Sequence, residues 1–109
     1  MRRGDVVVAA AGSGFGGKPR PAVIVQSDRF AETASVTVCL FTSHEVDAPL
    51  ARLRIERDPA NGLEGPSWLM ADKVVTIRRD RIARVVGRLA DEDMLRVNRA
   101  IAVFLGLAG

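Results

Sequence analysis

Two prolines flanking a single arginine constrain this chain more tightly than any other feature. In Lys18-Pro19-Arg20-Pro21 each ring fixes its own φ and drives the residue before it into extended backbone. Arg20 is therefore held extended. Ahead of it lies a glycine-rich stretch, Gly12 to Gly17, with the backbone freedom of a loop. Behind it, Ala22-Val23-Ile24-Val25-Gln26 has the apolar, β-branched character of a buried strand. A loose loop, a stiff basic hinge and a strand thus follow in direct succession, with a guanidinium at the mouth of the strand. A cation held this way suits an anion, although turn arginines that simply face water are common.

The remaining strands are short. Residues 5–11 begin with Val6-Val7-Val8 and predict a first strand; residues 21–26 form the second. Residues 29–33 are a polar connection with the character of a helical turn. Residues 34–41 predict a third strand, closed by Thr42-Ser43-His44. Residues 50–56 alternate, which predicts a half-exposed strand with Arg52, Arg54 and Glu56 on its outer face. Two turns follow, at Asp58-Pro59-Ala60-Asn61-Gly62-Leu63 and at Gly65-Pro66. Residues 67–71, with the lone Trp68, read as a fifth strand that residues 73–77 extend. After the basic turn Arg78-Arg79-Asp80-Arg81, residues 82–89 read as the last strand.

The chain closes on a helix. Asp91 is the expected N-cap, with Glu92 and Asp93 at the positive end of the helix dipole. Met94, Val97, Asn98, Ile101, Phe104 and Leu105 recur at helical spacing, Arg96 and Arg99 lie opposite, and Gly106 ends the element. Five to seven short strands and one terminal helix predict a mainly β, α+β fold: a small curled sheet or barrel in one domain over residues 1–109.

Composition excludes several chemistries. One cysteine, Cys39, allows no intrachain disulfide, and its apolar surroundings predict a buried, inert thiol. One His and one Cys cannot build an ordinary zinc site, so no metal and no cofactor are expected. No apolar run is long enough to span a membrane, and the two arginines at the start are followed at once by Gly4-Asp5 rather than by a secretory core. The expected compartment is the cytoplasm. A net charge of +3 permits an anionic partner without demanding one.

What remains is a pattern of polar residues at strand ends. If the second and third strands are antiparallel neighbours, Arg20 at the start of one meets Thr42 at the end of the other. A guanidinium beside a hydroxyl suits a phosphate, although Thr and Ser at strand ends also serve simply as turn caps. Lys18, Ser43, Lys73 and Thr76 are further candidates for contact with a nucleic-acid backbone, alongside Arg2 and Arg3. Phe15 is the one plausible stacking residue near the hinge, or else a loop anchor. Arg78, Arg79, Arg81, Arg84 and Arg88 form a second basic cluster that reads as a solvated face.

In order along nearly the whole chain, these segments resemble the MazF/PemK toxins of type II toxin–antitoxin pairs. The resemblance rests on Arg3-Gly4-Asp5-Val6-Val7, the Arg-Pro strand ending in Ser27-Asp28, the strand ending in Thr42-Ser43, Asn61-Gly62-Leu63, and residues 70–77 before the helix. It implies an SH3-like barrel with a C-terminal helix, acting as a homodimer and neutralised by a cognate antitoxin protein. It also implies metal-independent cleavage of single-stranded RNA by 2′-OH attack, giving 2′,3′-cyclic phosphate and 5′-OH ends, with Arg20 and Thr42 as the catalytic pair. The chain departs from some members in the last segment. Val75 stands where they carry arginine and Arg78 where they carry aspartate, which leaves Lys73 as the candidate replacement charge. A barrel of the related CcdB type that binds gyrase, or one that binds RNA without cutting it, are the alternatives.

Overall fold

The computed structural model describes residues 1–10, 18–48 and 50–109. Six strands form one antiparallel sheet: β1 (Asp5–Ala9), β2 (Arg20–Ile24), β3 (Ser35–Thr42), β4 (Arg52–Ile55), β5 (Ser67–Arg78) and β6 (Ile82–Arg88). Helix α1 (Asp91–Phe104) follows. The strands lie side by side in the order β4-β5-β3-β2-β1-β6. Single 3-10 turns at Asp28–Phe30 and Arg79–Arg81 fall within two of the connections where the sequence suggested turns. The glycine-rich stretch, Phe15 included, lies outside the described residues.

Both faces of the sheet are apolar. Val7, Ala22, Ile24, Val36, Val38, Leu40 and Met70 make one buried cluster. Val6, Val23, Cys39, Phe41, Ile55, Leu69, Leu89 and Val97 make the other. Alternate residues of a strand point to opposite faces. A strand that feeds both clusters must therefore be apolar along its buried stretch, as β2 is over residues 22–24 and β3 over residues 38–41.

Strand β5 is a single 12-residue element, in which residues 73–77 extend the strand begun at Ser67. It pairs with β4 at its start and with β3 along its length. Between Cys39 and Phe41 its register on β3 shifts, so the pairing is irregular over the stretch that contains Lys73.

The cap of helix α1 falls one residue earlier than expected. Ala90 is the N-cap, with extended backbone, and makes no side-chain cap bond. Asp91 is already helical, so its carboxylate, with Glu92 and Asp93, acts on the helix dipole instead. The buried helix residues are Val97 and Ala100, flanked by Met94 and Ile101. Phe104 and Leu105, expected on the core face, are exposed. Gly106 follows at φ +77°, the left-handed conformation that stops a helix.

One turn is locked to a distant strand. Asn61 is fully buried. Its amide donates to the Glu56 carbonyl at 2.9 Å and accepts from the Leu63 N–H at 3.0 Å. Gly62 has φ +70°, and a Cβ there would lie 2.3 Å from the Val86 carbonyl oxygen. A Cβ on Gly87 would lie 2.4 Å from the Asn61 carbonyl carbon. The two glycines let the turn and β6 approach backbone to backbone.

Candidate active site

Strand register builds the site. Between β2 and β3, Ala22 pairs with Leu40, Val23 with Cys39 and Ile24 with Val38. Extending that register by two residues sets Arg20 opposite Thr42. Arg20 is still within the sheet at that point, because it pairs with Ala9 of β1 on its other side. Neighbouring strands lie about 4.8 Å apart, so the two side chains leave adjacent strand ends from the same face. Each is half-buried.

The row continues across the sheet. Thr42 pairs with Trp68 of β5, and Trp68 pairs with Arg54 of β4. Directly opposed residues share a face. Arg20, Thr42, Trp68 and Arg54 thus form one cross-strand row over four neighbouring strands. It is the face of Ala22, Leu40 and Met70, and the row lies at the rim where that apolar cluster ends. The Arg54 guanidinium carbon lies 5.4 Å from the centroid of the Trp68 ring, within cation–π range.

Thr42 is oriented by the chain that follows it. Its Oγ1 accepts a hydrogen bond from the His44 backbone N–H at 3.2 Å. The oxygen is fixed by an incoming donor, and its own hydrogen remains available to donate outward. This is the turn-cap geometry anticipated for a strand-end threonine, and it also poses the hydroxyl for an anion.

The other candidates fall into two groups. Lys18, two residues before β2, and Ser43, directly after Thr42, are exposed at the same end of the sheet. Lys73 is exposed in the irregular part of β5. Thr76 is not brought to this end. It pairs with Thr37, and the two hydroxyl oxygens lie 2.7 Å apart. Thr37 is five residues from Thr42 along β3, about 16 Å at some 3.3 Å per residue, and on the opposite face.

Several arginines of the expected basic surface are structural. Arg3 donates to the Val25 carbonyl at 2.8 Å and also bonds the Asn98 side chain, tying the start of the chain to the residue just after β2 and to α1. Arg79 donates to the carbonyls of Ala31 and Thr33. Arg88 bonds the Arg3 carbonyl and the Asp5 carboxylate, at 2.9 and 3.0 Å. Arg78 pairs with Asp80. Val75, at the position of departure, packs against the apolar cluster opposite Val38.

Beyond Trp68 a cavity of about 560 Å³ opens between the 45–48 segment and β4. Arg52 and Arg54 line it together with Trp68. Arg52 is not the outward charge that alternation suggested. It is held in a two-bond pair with Asp72, at 3.0 and 3.1 Å, and that bond keeps the Asp72 carboxyl below the usual carboxylate range. Sequence reasoning missed Trp68 as the neighbour of Thr42 and Arg54 as the neighbour of Trp68. The signal was present: the 56–66 turns join two predicted strands into a hairpin, and a hairpin makes them adjacent.

Cys39 is buried, and its Sγ donates to the Met70 carbonyl at 3.1 Å. Burial pushes its thiol up to about 12. It is the inert thiol expected. Among the described residues no cluster of His, Cys, Asp and Glu is arranged to hold a metal ion. None of the described helices is long and apolar enough to cross a membrane.

Comparison with known proteins adds to this geometry. Residues 2–105 match the family described as PemK-like, MazF-like toxin of type II toxin–antitoxin system. The chain is 57% identical over 109 residues, the full length of both, to a probable endoribonuclease MazF of Mycolicibacterium smegmatis. It is 32% identical over 114 residues to an endoribonuclease MazF of Staphylococcus saprophyticus, covering 98% of this chain and 92% of that one. Among solved structures, an endoribonuclease from a mycobacterial species in complex with its cognate antitoxin superposes with TM-score 0.81 at 24% identity, over 100% of this chain and 98% of the other. MazF from Deinococcus radiodurans superposes with TM-score 0.76 at 20% identity, over 97% and 96%. At such identities the structural likenesses speak for the fold.

Proposed function

The chain belongs to the PemK-like, MazF-like toxins of type II toxin–antitoxin systems, whose curated relatives are endoribonucleases, and we propose that it cleaves single-stranded RNA with Arg20 and Thr42 at the reacting phosphate. The observation that carries this reading is the register that sets Arg20 opposite Thr42 on one face at the sheet rim.

In the proposed reaction the ribose 2′ oxygen forms a bond to the adjacent phosphorus and the bond to the 5′ oxygen breaks. The 2′ proton is lost and the departing 5′ oxygen gains one. The products are a 2′,3′-cyclic phosphate and a 5′-OH. Negative charge grows on the non-bridging oxygens in the transition state. A guanidinium fixed by the proline hinge and by sheet pairing meets that charge with little reorganisation, an arrangement worth several kcal/mol (roughly 3–4 for one well-placed donor). Thr42 donates its hydroxyl hydrogen to a phosphate oxygen while the His44 N–H holds the oxygen in place. RNA carries its own nucleophile, so this route needs no metal ion.

Lys18, Ser43 and Lys73 extend the contact along the phosphate backbone, and Phe15 offers a base a stacking surface. We take residues 1–109 as one toxin domain that acts in the cytoplasm as a homodimer and is neutralised by a cognate antitoxin. The test is cleavage of a mixed-sequence single-stranded RNA by Arg20→Ala and Thr42→Ala variants with wild-type melting curves. Loss of cutting in both supports the pair. Wild-type rates from either variant would move the reaction elsewhere.

A further inference from the structure

We propose that the cavity beside Trp68 is a nucleobase subsite, which seats one unpaired base of the RNA next to the phosphate held by Arg20 and Thr42. The inference rests on the nuclease reading above and deepens it.

Three observations carry it. First, Trp68 pairs directly with Thr42, so its ring rises one strand spacing from the hydroxyl that meets the phosphate. A base attached to that nucleotide or its neighbour needs a surface at this distance. Second, Arg54 lies over the ring at 5.4 Å. A guanidinium packed over an indole offers planar groups of the kind on which unpaired bases stack. The cavity of about 560 Å³ has the size of a small-ligand pocket.

Third, the charges favour a base over a second phosphate. The pocket's two cations are already paired: Arg52 with Asp72 at 3.0 Å, and Arg54 with Glu56 at 2.5 Å. The carboxylates of Glu45 and Asp47 line the same cavity. A phosphate would meet like charge there. A base would present ring faces to Trp68 and Arg54, and its N–H donors to the acidic side chains. The site thus divides the work along one row: Arg20 and Thr42 take the backbone, while Trp68 and Arg54 take the base and help choose where the chain cuts.

Trp68 is the only tryptophan, so its fluorescence reports this site alone. The experiment titrates the protein with a random-sequence 2′-O-methyl RNA hexamer, which lacks the nucleophile, and with an abasic oligomer of equal charge. Fluorescein anisotropy follows total binding in parallel. The account predicts saturable change of Trp68 emission with the hexamer and none with the abasic oligomer. Trp68→Ala should weaken hexamer binding by about five-fold or more, the range of one lost base stack, and Trp68→Phe should recover most of it. On cleavable RNA, Trp68→Ala should spread the cuts over more sequences. Binding and cutting with silent Trp68 emission, and an unchanged cut pattern in Trp68→Phe and Trp68→Ala, would overturn the subsite and leave the nuclease reading standing. Failure to bind or cut any RNA would overturn both.

Discussion

Thr42 and Trp68 stand directly opposite each other on β3 and β5, each also neighbour to an arginine: Arg20 by the β2–β3 register and Arg54 by pairing with β4. The pairing places a hydroxyl between a cation and an indole on one sheet face. The four residues are spread along the chain from Arg20 to Trp68, each at least 12 positions from the next. The sheet assembles them.

The first prediction concerns the hydroxyl. Thr42→Ala removes the donor and keeps the strand, so cleavage should fall about 100-fold, the usual cost of one transition-state donor. Thr42→Ser keeps the oxygen that accepts from His44 and should recover most of the rate. Single-turnover cleavage of a labelled RNA separates the two variants. Equal rates for Thr42→Ala and wild type would show that the hydroxyl only caps the turn.

A second prediction tests the turn that locks β6. Gly87→Ala would drive a Cβ to 2.4 Å from the Asn61 carbonyl carbon. It should cost about 3 kcal/mol, at the upper end for overpacking. Asn61→Ala orphans the buried groups that its amide satisfies and should cost about 2 kcal/mol. Urea melts measure both, and a loss below about 0.5 kcal/mol in Gly87→Ala would contradict the close approach.

The third prediction follows from the buried thiol. Cys39 is raised from 9.0 to about 12 in the folded chain. Below pH 9 folded and unfolded thiols are both protonated and the term is fully present. As pH rises from 9 towards 12 the unfolded chain alone loses its proton, so stability falls, by up to about 1.4 kcal/mol per pH unit. Denaturant melts across that range should show this extra slope in wild type and not in Cys39→Ala. Native Cys39 should also resist iodoacetamide until the protein unfolds. Rapid alkylation at neutral pH would contradict the burial.

The sequence carried the local features well. The proline hinge, the β-branched runs and the helix spacing each act over a few residues, and the structure places strands and helix close to where those patterns put them. Its limits lay in what separate segments do together. Asp91 has the chemistry of a cap, but the extended backbone falls at Ala90. Residues 73–77 do extend the strand begun at 67, but no local pattern shows that β3 runs alongside both stretches. Arg3 and Arg52 looked like surface charge, yet each is committed to a partner far along the chain, Val25 and Asp72 respectively. Trp68 looked like part of a short strand, and only pairing with Thr42 and Arg54 gives it a place beside the site. Thr76 followed the candidate residues in sequence but not in space, since a hydroxyl on the other face already engages it.

The central claim is tested most directly by incubating wild type and Arg20→Ala with a mixed-sequence single-stranded RNA in excess EDTA and reading the product ends by mass spectrometry. The account predicts 2′,3′-cyclic phosphate and 5′-OH ends from wild type, undiminished by the chelator, and intact RNA with a folded Arg20→Ala protein. Cleavage that stops in EDTA and returns with magnesium, or the same ends from Arg20→Ala, would contradict it.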